Sequence, residues 1–256
     1  MAVDSGSLPA ALLWDVDGTL AETELDGHRL AFNRAFRDAD LPWHWDRTLY
    51  LELLRISGGR ERMAHFLTQV EGVRPEPGRI EDLQRAKQRH YTALVAAGEL
   101  QLRPGVARLI TAAAAAGVPQ AIVTTSGRQA VTALLERLLP ERLESLQLRI
   151  CGEDVARKKP DPEAYQLALR RLALPPEQVI AIEDSANGLA AAHGAGLAVL
   201  VTRSAASSLE PDSAFAAAAA QVDHLGDPSV PCSVLLGPAC PQACITLSWL
   251  QQLLPC

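Results

Sequence analysis

Ala11-Leu12-Leu13-Trp14-Asp15-Val16-Asp17-Gly18-Thr19 is the stretch on which the fold turns. Four apolar residues run without a break into two acids and a turn-forming glycine. A short apolar run that ends in polar turn residues reads as a buried strand opening into a loop. From residue 101 onward the same kind of run recurs, at 120–123, 148–151, 179–182 and 197–201, and between the runs the apolar period changes to that of a helix. Helices are predicted over 106–116 with Gly117 closing the end, over 129–139, over 162–172 with proline in the first turn, and over 186–193. Strands alternating with helices give βαβ units and a parallel sheet. The fold class predicted is α/β, a Rossmann-like parallel sheet core.

Between these two parts the pattern is different. Leu30, Ala31, Phe32, Ala35 and Phe36 recur at helical spacing, as do Leu49, Leu53 and Ile56, then Met63, Phe66, Leu67 and Val70, then Leu83, Ala86 and Leu94. No strand signal interrupts them, so an inserted all-helical unit of about four helices is expected. The boundaries predicted are 11–23 and 101–227 for a discontinuous core, 24–100 for the helical insert, and 228–256 for a tail that departs from the pattern. The alanine runs 112–116 and 216–220 read as helix.

In an open parallel sheet, ligands bind beyond the carboxyl ends of the strands. The residues just past each predicted strand are therefore informative. Asp15 and Asp17 come after the first, Thr124-Thr125-Ser126 after the second, and Glu183-Asp184 after the fourth, while Lys158-Lys159-Pro160 precedes a helix. Four carboxylates brought to one sheet edge repel one another unless a cation sits among them. A hard divalent ion with oxygen ligands, Mg2+, suits Asp15, Asp17, Glu183 and Asp184. A carboxylate held there can attack phosphorus, and Asp17 can protonate the leaving oxygen and later activate water. Thr124 can donate to phosphoryl oxygens, Lys159 can offset developing negative charge, and Thr125 and Ser126 lie close enough in sequence to touch substrate. Ser126 is also placed to cap the next helix, and Lys158 reads as a surface charge.

D-V-D-G-T-L, T-T-S after a strand, K-K-P-D-P and I-E-D-S-A-N-G together resemble the haloacid dehalogenase-like phosphatases, over roughly residues 12–201. The resemblance implies that Asp15 is the nucleophile, that Asp17 is the acid/base and offers its carbonyl to the metal, and that the helical insert is a cap. L-A-E-T-E at Glu22, P-W-H-W-D at Trp43, S-G-G-R-E-R at 57–62 and Q-R-A-K at 84–87 are similar to the CbbY proteins, phosphatases of xylulose-1,5-bisphosphate, a Rubisco inhibitor. That similarity implies that Glu22 contacts sugar hydroxyls, and that Arg60 and Lys87, helped by Arg62, meet the second phosphate. The turn at Gly58 and Gly59 would add backbone N–H groups facing the same anion. The alternative within the same motifs is a phosphosugar mutase of the β-phosphoglucomutase kind. A non-catalytic sugar-phosphate sensor is a third reading, which the intact acidic motifs disfavour.

Composition bounds the rest. The 256 residues are 48% hydrophobic and 21% charged, with a formal net charge of −6, which argues against nucleic acid as a partner. Nothing in residues 1–10 reads as an export signal and no apolar stretch reaches a membrane span, so a cytoplasmic monomer acting on a small phosphosugar is expected. Four of the five cysteines lie in the last 25 residues. Reduced thiols are expected there, and their spacing does not suit zinc.

Overall fold

The computed structural model describes residues 8–72 and 75–255. Residues 1–7, which carry most of the stretch read for an export signal, lie outside the described residues. Among the described residues seven strands form one sheet: β1 Ala11–Trp14, β2 Gln120–Val123, β3 Leu148–Ile150, β4 Val179–Glu183, β5 Ala198–Thr202, β6 Ala220–Val222 and β7 Val234–Leu236. The spatial order is β3-β2-β1-β4-β5-β6-β7. All neighbours are parallel except β6 and β7.

Every residue of β1, β2 and β4 is buried, because helices cover both faces; this is why these strands read as unbroken apolar runs. Successive side chains still alternate. Leu12, Trp14, Ile122, Ile180 and Ile182 enter one core with α5 (Val106–Ala115) and α6 (Arg128–Leu138). Leu13, Ala121, Val123, Ala181 and Val199 enter the other with α7 (Glu163–Leu172) and α8 (Ala186–Gly194). The Trp14 indole donates to Gln120 Oε1 at 3.0 Å and the Gln120 amide donates to the Ile110 carbonyl at 3.0 Å, so these polar groups in the core are paired.

The helical insert carries α1 (Arg29–Asp38), α2 (Arg47–Leu53), α3 (Gly59–Glu71) and α4 (Pro77–Ala97). Its core is aromatic. Trp45 is fully buried, with Phe36 and Phe66 rings edge-on at 5.0 and 5.3 Å between centroids. The chain enters and leaves the insert side by side: Ala21 bridges Leu102, and the Arg103 N–H donates to the Leu20 carbonyl at 2.9 Å.

One sequence expectation is corrected. Residues 216–220 do not form a helix. A 3-10 turn over Asp212–Phe215 anchors Phe215, and Ala220 begins β6. Alanine side chains are too small to carry a periodic signal, so composition alone suggests helix. The segment after residue 227 also has its own elements: β7 extends the sheet antiparallel, and α9 (Leu247–Gln251) places Trp249 and Leu250 in the core shared with α5. Leu250 is fully buried, so Leu250→Ala should cost about 2–5 kcal/mol in denaturant unfolding. A loss under about 0.5 kcal/mol, the size of a surface substitution, would mean that this packing does not support the core.

No helix among the described residues is long and apolar enough to cross a membrane. Cys151, Cys232, Cys240 and Cys244 are unpaired thiols.

Candidate active site

β1 lies between β2 and β4, so the loops leaving its carboxyl end diverge and open a crevice at the point where the strand order reverses. Asp15 sits at that end. Its backbone N–H donates to the Ile182 carbonyl at 3.0 Å, which continues the β1–β4 ladder and fixes the residue. Lys159 Nζ donates to Asp15 Oδ1 and to Glu183 Oε1, both at 2.6 Å, and to the Val123 carbonyl at 2.8 Å. One buried ammonium thus ties the ends of β1, β2 and β4 together. Tyr165 OH donates to the same Glu183 oxygen. Asp184 accepts from Ser204 Oγ at 2.6 Å.

Glycine is required at two places here. Gly18 has φ +82, and a Cβ on it would fall 2.1 Å from Asp184 Oδ2. A Cβ on Gly188 would fall 1.9 Å from Glu183 Oε2. Both acids reach their positions only because these residues have no side chain.

Burial raises the Asp15 carboxyl well above the usual carboxylate range; Lys159 opposes this, while Glu183 and Asp17 add repulsion. Burial and the Asp15 charge raise Asp184 likewise. Burial would lower the Lys159 ammonium, but Asp15 and Glu183 reverse this and keep it charged. One lysine among three buried carboxylates leaves an excess of negative charge. Asp15, Glu183 and Asp184 each offer an oxygen, all within 4.8 Å of one another, and Glu183 Oε2 is buried without a partner. An all-oxygen, electron-rich cluster fits a hard divalent cation. The Asp17 carboxylate is not in this group, leaving its main-chain carbonyl as the atom it has to offer.

Asp17 turns toward the insert. It accepts from Thr23 Oγ1 at 2.5 Å, from His28 Nε2 at 2.9 Å and from Ser126 Oγ. Burial pushes its carboxyl up, but the charge and hydrogen bond of His28, with the two hydroxyls, hold it well below the ordinary value. His28 Nδ1 lies 2.8 Å from Lys87 Nζ, and its ring stacks on Tyr91 with centroids 4.2 Å apart. Burial pulls Lys87 down to about 8. The His28–Lys87 pair thus carries its positive charge directly behind Asp17. The sequence alone assigns His28 no role. Its position arises from a π-turn over Glu24–His28, in which the His28 N–H reaches back to the Thr23 carbonyl, a local widening with no periodic signature.

A cavity of about 550 Å3 opens over Asp15, Asp17, Lys159 and Asp184, with Glu24, Arg55 and Arg62 on the insert side. Thr125 lines it. Thr124 is buried beside it, its hydroxyl accepting the Ser126 N–H at 3.1 Å. Ser126 does not cap α6: Gly127 occupies the N-cap position without a side-chain bond, and the Ser126 hydroxyl is spent on Asp17. Arg62 is buried, with Nη1 3.0 Å from Tyr50 OH, while Tyr50 OH donates to Glu24 at 2.5 Å.

Other expected contacts lie elsewhere. Glu22 pairs with Arg103 Nε at 3.1 Å, outside the cavity lining; Glu24, two residues on, lines the cavity. Arg60 pairs with Glu81 at 3.0 Å with its side chain 53% exposed. Gly58 is the N-cap of α3 and Gly59 its first residue, and the Gly58 turn faces Glu61 and Lys158. Lys87 reaches the site only through His28.

The family model of the haloacid dehalogenase-like hydrolases matches residues 9–196. Protein CbbY of Cereibacter sphaeroides is 49% identical over 75% of this chain and 83% of its own, and plasmid CbbY of Cupriavidus necator is 43% identical over 86% and 87%. A crystal structure of an Asp-to-Asn variant of CbbY from Rhodobacter sphaeroides in complex with xylulose-(1,5)-bisphosphate superposes with a TM-score of 0.79, at 42% identity over 87% of this chain and 96% of that one. Matched along most of its length by a family model, by close relatives and by a solved fold, the chain belongs to the haloacid dehalogenase-like hydrolases, alongside the CbbY proteins, and is a phosphatase.

Proposed function

We propose that this phosphatase removes one phosphate from a small sugar bisphosphate, xylulose-1,5-bisphosphate first among them, through a phosphoryl group carried on Asp15. The observation that carries the reading is the buried Asp15–Lys159 pair at 2.6 Å beneath a cavity that holds two further cations, Arg55 and Arg62. Lys159 and the acidic cluster serve the phosphate in transfer. Arg55 and Arg62 are left for a second dianion.

The insert, residues 24–100, acts as a cap over this cavity and keeps water out while substrate is bound. The Asp15 carboxylate attacks phosphorus and forms an acyl phosphate as the sugar oxygen leaves. Asp17 protonates that oxygen, then takes a proton from the water that hydrolyses the acyl phosphate. Thr23, Ser126 and His28 stabilise Asp17 as a carboxylate, the form the second step needs. The first step needs a proton on it, and the His28–Lys87 pair is the adjacent source. Thr124 and Lys159 orient the phosphoryl oxygens. Asp15, Glu183 and Asp184, with the Asp17 carbonyl, would hold Mg2+, whose positive charge would let a carboxylate approach a phosphate dianion.

Phosphate release from xylulose-1,5-bisphosphate, ribulose-1,5-bisphosphate and glucose phosphates tests the reading. Release should be fastest from the first, fall to background in EDTA, and return with Mg2+. Isomerisation of glucose 1-phosphate without phosphate release would favour a mutase instead. Arg55→Ala should lower kcat/KM at least about tenfold for a bisphosphate, and much less for a monophosphate, as expected for loss of one charge-assisted contact. Equal losses on both would remove Arg55 from the second-phosphate site.

A further inference from the structure

Two core residues to which the sequence alone assigns no role grip one segment of the cap. Lys158, next to the buried Lys159, is not a free surface charge. Its Nζ donates to Glu61 Oε1 at 2.7 Å and its side chain is only 19% exposed. Asn187, three residues after Asp184, donates from Nδ2 to the Arg55 carbonyl at 3.1 Å and lies 3.2 Å from Ser57 Oγ. Both contacts land between residues 55 and 61, the loop and first turn that lead into α3.

The receiving side is built for this. Glu61 sits in the first turn of α3, where the helix dipole favours a carboxylate. Its other oxygen lies against Gly58, at φ +92, where a Cβ would fall 2.1 Å from Glu61 Oε2 and 2.7 Å from Lys158 Nζ. Only glycine at that turn lets the lysine and the glutamate meet.

We infer that Lys158 and Asn187 form a two-point latch that holds the 55–61 segment of the cap down on the core. Each is a positioning residue: Lys158 lies outside the cavity lining, Asn187 stands at its wall, and both bond to the cap segment rather than to Asp15, Lys159 or Asp184. Closing the cap therefore couples Arg55, and Arg62 just beyond the segment, to the loops bearing Lys159 and Asp184. The inference rests on the cap reading proposed above.

The experiment compares Lys158→Ala, Asn187→Ala and the double variant with wild type on xylulose-1,5-bisphosphate and on p-nitrophenyl phosphate, which offers the cap nothing to grip. Each single variant should raise KM for the bisphosphate about fivefold, and the pair about twentyfold, as for partly exposed contacts, with p-nitrophenyl phosphate turnover unchanged. The exchange Lys158→Glu with Glu61→Lys should recover most of the loss caused by either reversal alone. Amide hydrogen exchange over residues 55–61 should quicken in the variants whatever the substrate. Equal loss on both substrates would mean that Lys158 acts on Lys159 and not on the cap. Unchanged KM and exchange, or no recovery on charge exchange, would overturn the latch. Failure of wild type to release phosphate from any phosphosugar would instead strike the functional reading, and the exchange measurement would still report on the latch.

Discussion

Asp15→Asn should reduce phosphate release to background while leaving the fold intact. The side chain is nearly isosteric, and its amide oxygen can keep the contact with Lys159 Nζ that the carboxylate makes at 2.6 Å. Asn, however, is a poor nucleophile and brings one less negative charge to the Asp15, Glu183 and Asp184 cluster. The same loss of charge relieves repulsion that pushes the Asp15 and Asp184 carboxyls up. Without divalent cations, the variant should therefore melt no lower than wild type. Activity within about tenfold of wild type, a barrier change of only ~1.4 kcal/mol, would remove Asp15 from the nucleophile's role.

Asp17→Asn should slow both half-reactions, by about 10²–10⁴-fold. The carboxylate accepts from Thr23, Ser126 and His28, three donors that an amide cannot all satisfy, and the amide neither gives a proton to the sugar oxygen nor takes one from water. Quench-flow should show slow phosphorylation and slower hydrolysis of the acyl phosphate. Normal turnover would move the acid/base role to another group, with His28 next in line by position.

The core is legible in the sequence because its signals are local. An apolar run fully buried on both faces leads into the acids that the strand end and the next loop must hold; Asp15, Glu183 and Asp184 stand out in this way and lie together, with Lys159 brought to them from the turn before α7. The insert is legible as helices but not as a site. Whether Glu22 or Glu24 enters the cavity depends on a π-turn that no periodicity announces. Whether Arg60 or Arg62 does depends on where α3 starts, since residues two apart on a helix face different ways; Arg62 turns inward to Tyr50 and Arg60 outward to Glu81. His28 and Lys87 meet across 59 residues of chain, a contact that only the packed insert creates. The tail escapes a sequence reading because β7 and α9 are short, and each is set by the partner it covers, β6 in one case and α5 in the other.

Acid quenching of the Asp17→Asn variant during turnover of xylulose-1,5-bisphosphate with Mg2+, followed by peptide mass spectrometry, tests the central claim most directly. The account predicts a phosphoryl adduct on the peptide containing Asp15, assigned to Asp15 itself and absent when Asp15→Asn is added. Phosphate release without any adduct, or an adduct on another residue, would contradict it.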